Sequence, residues 1–238
     1  MWFRSVIFTL GYVPIIFAVS VAGVVCGPFL PLKHRFLFPR AAFYGTAFWL
    51  RVTCGIDYRI EGLENLPATP CVVAANHQSA WETYILQTLI VPLTTVLKRE
   101  LLWIPFFGWA LALTRPIAIN RSQRVGASKA VIKTGHDRLK SGISVLIFPE
   151  GTRVRPGVNV PFKRSAAVLA HQAGVDVLPV VHNAGEHWPA RTILKKPGTI
   201  TLKIGPLIGT TGKSADEIHE LYTDWITRER ASLQASRV

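Results

Sequence analysis

A histidine and a carboxylate lie close together where an apolar run gives way to polar residues. His77 follows residues 71–75, an apolar run typical of a buried strand, and Glu82 comes five residues later. An imidazole titrates near neutrality, so a histidine at the end of a strand is well placed to transfer protons. A carboxylate beside it can hold its tautomer and stabilise the imidazolium. The pair therefore indicates acid–base chemistry.

Whether this pair can meet depends on where the next helix begins. Five residues of continuous helix rotate by about 500°, which leaves two side chains roughly 140° apart. His77 and Glu82 can meet only if the helix starts after His77, and Ser79 offers such a start because Ser79-x-x-Glu82 matches a capping box. Glu82 thus has two interpretations, as the partner of His77 or as an acceptor for backbone amides. His77 by itself is equally compatible with a structural histidine.

A second polar group follows another apolar run. Residues 148–153 read Phe-Pro-Glu-Gly-Thr-Arg and come directly after residues 143–148, which have the texture of a buried strand. Gly151 lets the backbone turn or approach a ligand closely, and Arg153 carries the planar guanidinium that binds phosphate well. The group favours a phosphate site. An ordinary turn with a solvated arginine is the alternative.

Two adjacent cations, Lys98 and Arg99, form the third group. They precede an aromatic stretch with a proline, residues 103–108. Long cationic side chains beside apolar residues can hold a lipid headgroup above an apolar surface. The alternative is an exposed charge pair without a ligand.

The residues present exclude several familiar sites. Gly-x-Ser-x-Gly is absent, which removes the nucleophile of the common serine hydrolases. Residues 209–214 resemble a phosphate-binding loop, but Leu207 stands in place of its first glycine. The three cysteines form no Cys-x-x-Cys pair and no metal-ligand spacing occurs, so we expect no metal and no other cofactor.

Composition favours a lipid partner over nucleic acid. Apolar residues make up 49% of the 238 residues, and the mean hydropathy is +0.29. Lys and Arg outnumber Asp and Glu 27 to 14, for a formal charge of +13. Such an imbalance suits an anionic phospholipid surface or nucleic acid. The sequence lacks zinc-finger spacing, an Arg-rich helix and an aromatic RNA-binding signature, so we expect a phospholipid membrane and no nucleic acid as partner.

The N-terminal segment is predicted to be embedded in a membrane. No charged residue lies between Ser5 and Leu32, and a spanning helix needs about 20 apolar residues. The run is too long for a cleavable signal peptide, and Ala-x-Ala is absent. A transmembrane helix and a bent hairpin that enters one leaflet both fit, since prolines and glycines interrupt the run. The aromatic stretch 41–50 suits the interface, and nearby cations would hold the rest of the chain on the cytoplasmic side: Lys33, Arg35 and Arg40.

Beyond about residue 57, strand and helix patterns alternate, which predicts an α/β domain. The predicted strands are residues 71–75, 143–148, 175–181 and 199–204, and the predicted helices are residues 80–90, 122–140 and 162–173. A last helix follows the capping box Ser214-x-x-Glu217, with an apolar face of Ile218, Leu221, Tyr222, Trp225 and Ile226. The chain thus divides into a membrane-anchoring segment, residues 1–55, and a catalytic domain, residues 56–238.

The three polar groups occur in the order found in the glycerolipid acyltransferase family. Residues 76–82 resemble that family's His-x4-Asp motif, with Glu82 one methylene longer than the usual Asp. Residues 98–108 look like its second block, residues 148–153 are similar to its Phe-Pro-Glu-Gly-Thr-Arg block, and residues 177–180 look like its fourth. The resemblance covers about residues 57–210.

The resemblance implies an α/β fold with a central mixed β-sheet flanked by helices, preceded by the membrane-embedded helical segment. It implies an enzyme of phospholipid biosynthesis on the cytoplasmic side of the cell's inner membrane. The expected reaction moves a fatty acyl group from acyl-CoA or acyl carrier protein (acyl-ACP), a co-substrate, to the sn-2 hydroxyl of lysophosphatidic acid. The product is phosphatidic acid. Other acceptors (another lysolipid, an aminolipid or glycerol 3-phosphate), thioester hydrolysis and a non-catalytic lipid-binding role are the alternatives.

The family's motifs also imply a role for each polar residue. His77 would be the general base and Glu82 would orient it. Lys98 and Arg153 would hold the phosphate of the acceptor, with Arg99 a weaker candidate. The same pocket would be shaped by Glu150, Gly151 and Thr152.

Overall fold

A seven-stranded sheet forms the centre of the protein in the computed structural model, which describes residues 1–120 and 124–235. Along the sheet the strand order is β1-β7-β6-β2-β5-β3-β4. Only the β6–β7 pair is antiparallel among these neighbours, so the sheet is mixed, as expected. The strands are β1 Ile56–Glu61, β2 Val72–Ala75, β3 Leu93–Lys98, β4 Ile117–Ile119, β5 Ser144–Ile147, β6 Val177–His182 and β7 Gly198–Ile204.

Helices cover both faces of this sheet. In chain order they are α1 Trp2–Cys26, α2 Leu32–Arg35, α3 Leu37–Cys54, α4 Trp81–Leu89, α5 Phe107–Ala112, α6 Arg124–Lys140, α7 Ser165–Ala173, α8 Ala184–His187 and α9 Ala215–Ala235, with short 3₁₀ turns at Gly27–Phe29, Leu63–Asn65 and Arg99–Trp103.

Strand β2 shows why both faces of the sheet are apolar. Successive side chains of a strand point to opposite sides. Val73 therefore joins the core under α1, α3 and α4, whereas Val72 joins the core under α6, α7 and α9. All four residues of β2 are buried, which explains its continuous apolar sequence.

The first and third helices form a helical hairpin at the N-terminus. Among the described residues, Trp2–Phe29 is the one stretch long and apolar enough to cross a membrane. Helix α1 continues through Pro14, and the interfacial stretch predicted at 41–50 lies inside α3. One side of the hairpin packs into the core through Phe8, Phe43 and Leu50. The other side exposes large apolar residues: Trp2, Phe3, Leu10, Val13, Phe17, Val25, Tyr44, Phe48 and Val52.

The strands predicted from sequence are present as β2, β5, β6 and β7, each within two residues of the expected bounds. The helices predicted at 80–90, 122–140 and 162–173 are present as α4, α6 and α7, and residues 122 and 123 lie outside the described ones. The capping box is confirmed, since Glu217 Oε2 accepts the N–H of Ser214 at 2.7 Å. Leu221 differs from the prediction because it is 45% exposed. The division at residues 55 and 56 stays a prediction.

Candidate active site

Four neighbouring strands bring the predicted site residues to one edge of the sheet. His77 follows β2, the segment with Glu150 follows β5, Lys98 ends β3 and His182 ends β6. These four strands are parallel to one another. Ligands of open α/β sheets bind outside the carboxyl ends of the strands. The fold therefore unites groups that are far apart in the sequence.

His77 lies at the centre of this edge. Its Nδ1–H donates a hydrogen bond to Glu82 Oε1 at 2.8 Å, and its ring stacks on Phe148 with the centroids 3.9 Å apart. The side chain is 11% exposed, and no described residue forms a hydrogen bond with its Nε2. Because Nδ1 holds the proton in this arrangement, Nε2 has a free lone pair that can accept a proton.

Glu82 reaches His77 because helix α4 begins at Trp81, after the histidine. Its Oε1 also accepts the backbone N–H groups of the two residues after His77, at 2.9 and 2.7 Å. Burial raises the pKa of this carboxyl, but nearby His182 and the hydrogen bonds from His77 and Ser79 outweigh burial and lower the pKa to about 2. Glu82 is therefore ionised, and one oxygen makes both contacts that the sequence suggested as alternatives.

A buried pair beside His77, Asn76 and His182, was missed in the sequence. The Asn76 amide donates to the His182 carbonyl at 2.9 Å, and its Oδ1 accepts the His182 backbone N–H at 3.0 Å. The His182 Nε2–H donates to the Asn76 carbonyl at 2.8 Å. These bonds fix the backbone immediately before His77. The usable signal was the position of His182 at the end of a predicted strand.

Glu150 faces the protein interior. Its Oε2 accepts the backbone N–H of His77 at 2.6 Å, and Arg230 of α9 lies 3.5 Å from its Oε1. Burial raises the pKa of Glu150 to about 7, although the His77 N–H and the Arg230 guanidinium oppose the shift. This geometry suits a carboxyl that holds the His77 loop, and Arg230 is a contact that sequence reasoning missed.

The raised pKa of Glu150 predicts a pH dependence of stability. Between about pH 4.5 and 7 the folded state binds a proton that the unfolded state does not, so this group's contribution is largest at low pH and is lost as the pH rises through 7. Glu150→Gln cannot titrate. We expect the melting temperature of the variant to fall less between pH 5 and pH 7.5 than that of the wild type, as measured by thermal unfolding.

Glu64 is exposed, so Glu64→Gln is the matched control. The melting temperature of this variant should follow the wild-type pH dependence. Identical slopes for Glu150→Gln and the wild type would contradict the assignment of the raised pKa to Glu150.

An apolar cavity of about 340 Å³ opens onto His77. Its walls come from α1, α3, α4, α5 and β3 and include Tyr84 and Phe148, the ring on which His77 stacks. Lys98, Thr152 and Arg153 also line it. With Arg191, which also lines it, the cavity thus joins apolar surface, three cations and the free nitrogen of His77, which matches the parts of an amphiphile that carries a phosphate.

The other predicted site residues are placed differently. Arg99, Glu150 and Gly151 are not among the residues that line this cavity. Gly151 has a φ of +72°, a backbone conformation that residues with a Cβ rarely adopt, so the turn after β5 favours glycine. Lys98 forms an ion pair with Glu100 at 3.2 Å, whereas Arg153 has no carboxylate within 4 Å in the described part of the chain.

The site has no cluster that resembles a metal centre. Within residues 1–120 and 124–235, no group of three or more His, Cys, Asp and Glu side chains is arranged to hold an ion.

Comparison with known proteins identifies the family. The family model described as "Acyltransferase" matches residues 57–183, which is more than half of the chain. The chain belongs to the acyltransferase family. The matched residues include β1 from its second residue, β2 to β6, and every site residue described above except Arg230.

Relatives and a solved structure agree with this membership. The chain is 47% identical to the 1-acyl-sn-glycerol-3-phosphate acyltransferase of Pseudomonas aeruginosa, over 92% of this chain and 85% of the relative. It is 32% identical to the 1-acyl-sn-glycerol-3-phosphate acyltransferase alpha of Mus musculus, over 70% of this chain and 60% of the relative. The crystal structure of the 1-acyl-sn-glycerophosphate acyltransferase PlsC of Thermotoga maritima superposes with a TM-score of 0.80 at 25% identity, covering 98% and 95% of the two chains. The chain is therefore an enzyme of the acyltransferase class with the PlsC-like fold.

Proposed function

We propose that the enzyme transfers a fatty acyl group from a thioester to the sn-2 hydroxyl of lysophosphatidic acid and so forms phosphatidic acid. The observation that carries this proposal is the position of His77, paired with Glu82 and facing an apolar cavity that Arg153 and Lys98 also line. The relatives are named 1-acyl-sn-glycerol-3-phosphate acyltransferases, and these names support the same acceptor. The donor is acyl-CoA or acyl-ACP.

In the proposed mechanism, His77 Nε2 takes the proton of the acceptor hydroxyl while the oxygen bonds to the thioester carbonyl carbon. The carbon–sulfur bond then breaks, and the imidazolium returns the proton to the departing thiolate. Glu82 stabilises the imidazolium between these two steps, because its ionised carboxylate contacts Nδ1. No described Ser or Cys side chain forms a hydrogen bond with His77, and a thioester is already activated, so direct transfer needs no acyl-enzyme.

The acceptor is an amphiphile, and the lining of the cavity likewise has apolar side chains and cationic side chains. Its acyl chain lies among the apolar side chains, and its phosphate contacts Arg153 and Lys98. Thr152 lines the same region and can donate a hydrogen bond to a phosphate oxygen. This arrangement places the sn-2 hydroxyl near His77.

We assign the apolar outer side of the α1–α3 hairpin to the membrane. Two indole rings, Trp103 at the end of the 3₁₀ turn before α5 and Trp109 within α5, are 69% and 49% exposed and extend the same apolar surface. The cations Lys33, Arg35 and Arg40 lie near the turn of the hairpin and favour an anionic lipid surface. We propose the cytoplasmic face of the inner membrane as the location of the active site.

Arg153 is predicted to bind the phosphate of the acceptor. Arg153→Ala removes a charge-assisted contact, so we expect the KM for lysophosphatidic acid to rise about 10-fold or more while the donor KM changes less. Steady-state kinetics with each substrate varied in turn measure both constants. Arg228 is exposed and does not line the apolar cavity, so Arg228→Ala is the matched control. An unchanged acceptor KM would remove Arg153 from the phosphate site.

An acceptor panel with one labelled acyl thioester tests the proposed function. Lysophosphatidic acid should be the preferred acceptor, ahead of 1-acylglycerol, which lacks the phosphate, and glycerol 3-phosphate, which lacks the acyl chain. Labelled fatty acid as the main product would indicate thioester hydrolysis. Absence of thiol release with every acceptor would indicate a lipid-binding protein without catalysis.

A further inference from the structure

A second, larger cavity adjoins the apolar cavity at Arg153 and Arg191. Its volume is about 1050 Å³, and it is bounded by the segment 153–156, helix α8, the loop before β7, and the outer strands β1 and β7. Its lining is rich in polar and charged side chains, in contrast with the apolar cavity. Apart from Gln78 and Arg153, its lining residues lie outside the family motifs and outside the predicted acceptor site.

The charge of this polar cavity is strongly positive. Two acids line it, Glu61 and Glu186. Six cations also line it: Arg59, Arg153, Arg155, Arg191, Lys196 and Lys203. Glu61 contacts Arg59 at 2.9 Å and Lys203 at 3.9 Å. The remaining four cations have no carboxylate within 4 Å among the residues that the structure describes. Uncompensated cations around a concave surface favour a ligand with several negative charges.

The two cavities meet beside the catalytic histidine. Arg153 and Arg191 line both of them. His77 lines the apolar cavity, and the next residue, Gln78, lines the polar one, where its Oε1 accepts the N–H of Gly185 at 3.2 Å. A ligand in the polar cavity can therefore extend a flexible arm past Gln78 toward His77.

The two substrates of the proposed reaction differ in the same way as the two cavities. The acceptor has one phosphate and a long apolar chain. The carrier of the thioester is a hydrophilic polyanion joined to the reacting carbonyl by a phosphorylated pantetheine arm. Each cavity matches one of them in polarity and charge.

We infer that the polar cavity binds the phosphate groups of the phosphopantetheine carrier that brings the acyl thioester, an assignment that rests on the proposed acyl transfer. Arg155 and Lys196 are the cations that belong to this cavity alone and have no carboxylate partner in the described ranges. Arg153 and Arg191 lie at the junction, where donor and acceptor phosphates come closest. Coenzyme A and acyl carrier protein share the pantetheine phosphate, so the chemistry is common to both carriers.

Charge reversal at Arg155 and Lys196 tests this inference. Both side chains are exposed, so Arg155→Glu and Lys196→Glu should fold normally. For acyl-CoA we expect each variant to raise the donor KM about 5-fold or more, with the acceptor KM within about 2-fold of wild type. The effect should be much smaller for acyl-pantetheine, which lacks phosphate, and should return for acyl-phosphopantetheine. Lys140→Glu, exposed and outside both cavities, is the matched control.

A donor KM that stays at the wild-type value, or that rises equally for acyl-pantetheine, would overturn the inference. So would a rise confined to the acceptor KM, which would assign the cavity to the lipid phosphate. If transfer proceeds only from acyl-ACP, the KM for acyl-ACP should rise in the same variants. The donor that supports transfer thus distinguishes coenzyme A from acyl carrier protein as the source of the phosphate. Titration calorimetry with coenzyme A itself does not need transfer: loss of binding in Lys196→Glu supports the site even if the proposed acceptor is wrong, and unaltered binding contradicts it.

Discussion

His77→Ala is expected to lower acyl transfer by at least about 100-fold, because a positioned general base contributes roughly 10²–10⁴-fold to such a reaction. The fold should persist, since Glu82 keeps its two backbone N–H donors and the Asn76–His182 pair is untouched. Initial rates with saturating donor and lysophosphatidic acid measure the effect.

The control for this variant is His171→Ala, an exposed histidine of α7 that lines neither cavity. It should retain wild-type turnover. Circular dichroism and membrane partitioning should be the same for both variants. If His77→Ala kept more than about a tenth of wild-type turnover, the assignment of His77 as the base would be wrong.

Glu82→Gln is expected to separate the two contacts of this side chain. The amide oxygen can still accept the backbone N–H groups after His77, and the amide nitrogen can occupy the place of Oε2, which has no hydrogen-bond partner among the described residues. The imidazolium, however, loses its ionised partner. Turnover should therefore fall about 100-fold or more while the melting temperature changes little.

Glu217 provides the matched control for this experiment. It occupies the same Ser-x-x-Glu arrangement and accepts the N–H of Ser214, but it lies at the start of α9, away from His77. Glu217→Gln should leave turnover unchanged. Normal turnover combined with a lower melting temperature in Glu82→Gln would mean that Glu82 only caps helix α4.

The elements that were predicted correctly are those whose local pattern is strong. Strands β2, β5 and β6 are buried on both faces and read as continuous apolar runs. The three strands that were missed lie toward the ends of the sheet. β4 has only three residues, β3 is rich in threonine, and β1 alternates polar and apolar side chains at an edge. Their assignment depends on neighbours that are distant in the sequence.

The contacts of the candidate site likewise differ in how far the sequence could predict them. The contact between His77 and Glu82 could be expected because it depends only on where α4 begins. The contacts of His77 with Glu150, and of Glu150 with Arg230, join residues more than 70 positions apart and require the order of strands. The polar cavity collects cations from segments between residues 59 and 203, so net charge alone gave no indication of where they would meet.

Direct transfer through one imidazole is tested most directly by rapid quenching of a single turnover with a labelled acyl thioester and excess lysophosphatidic acid. We predict that the label moves from thioester to phosphatidic acid in one phase, with no label bound to protein at any time. Donor mixed with enzyme alone should also leave the protein unlabelled. Label that becomes attached to the protein and then passes to lysophosphatidic acid would contradict the role of His77 as the base that activates the acceptor hydroxyl.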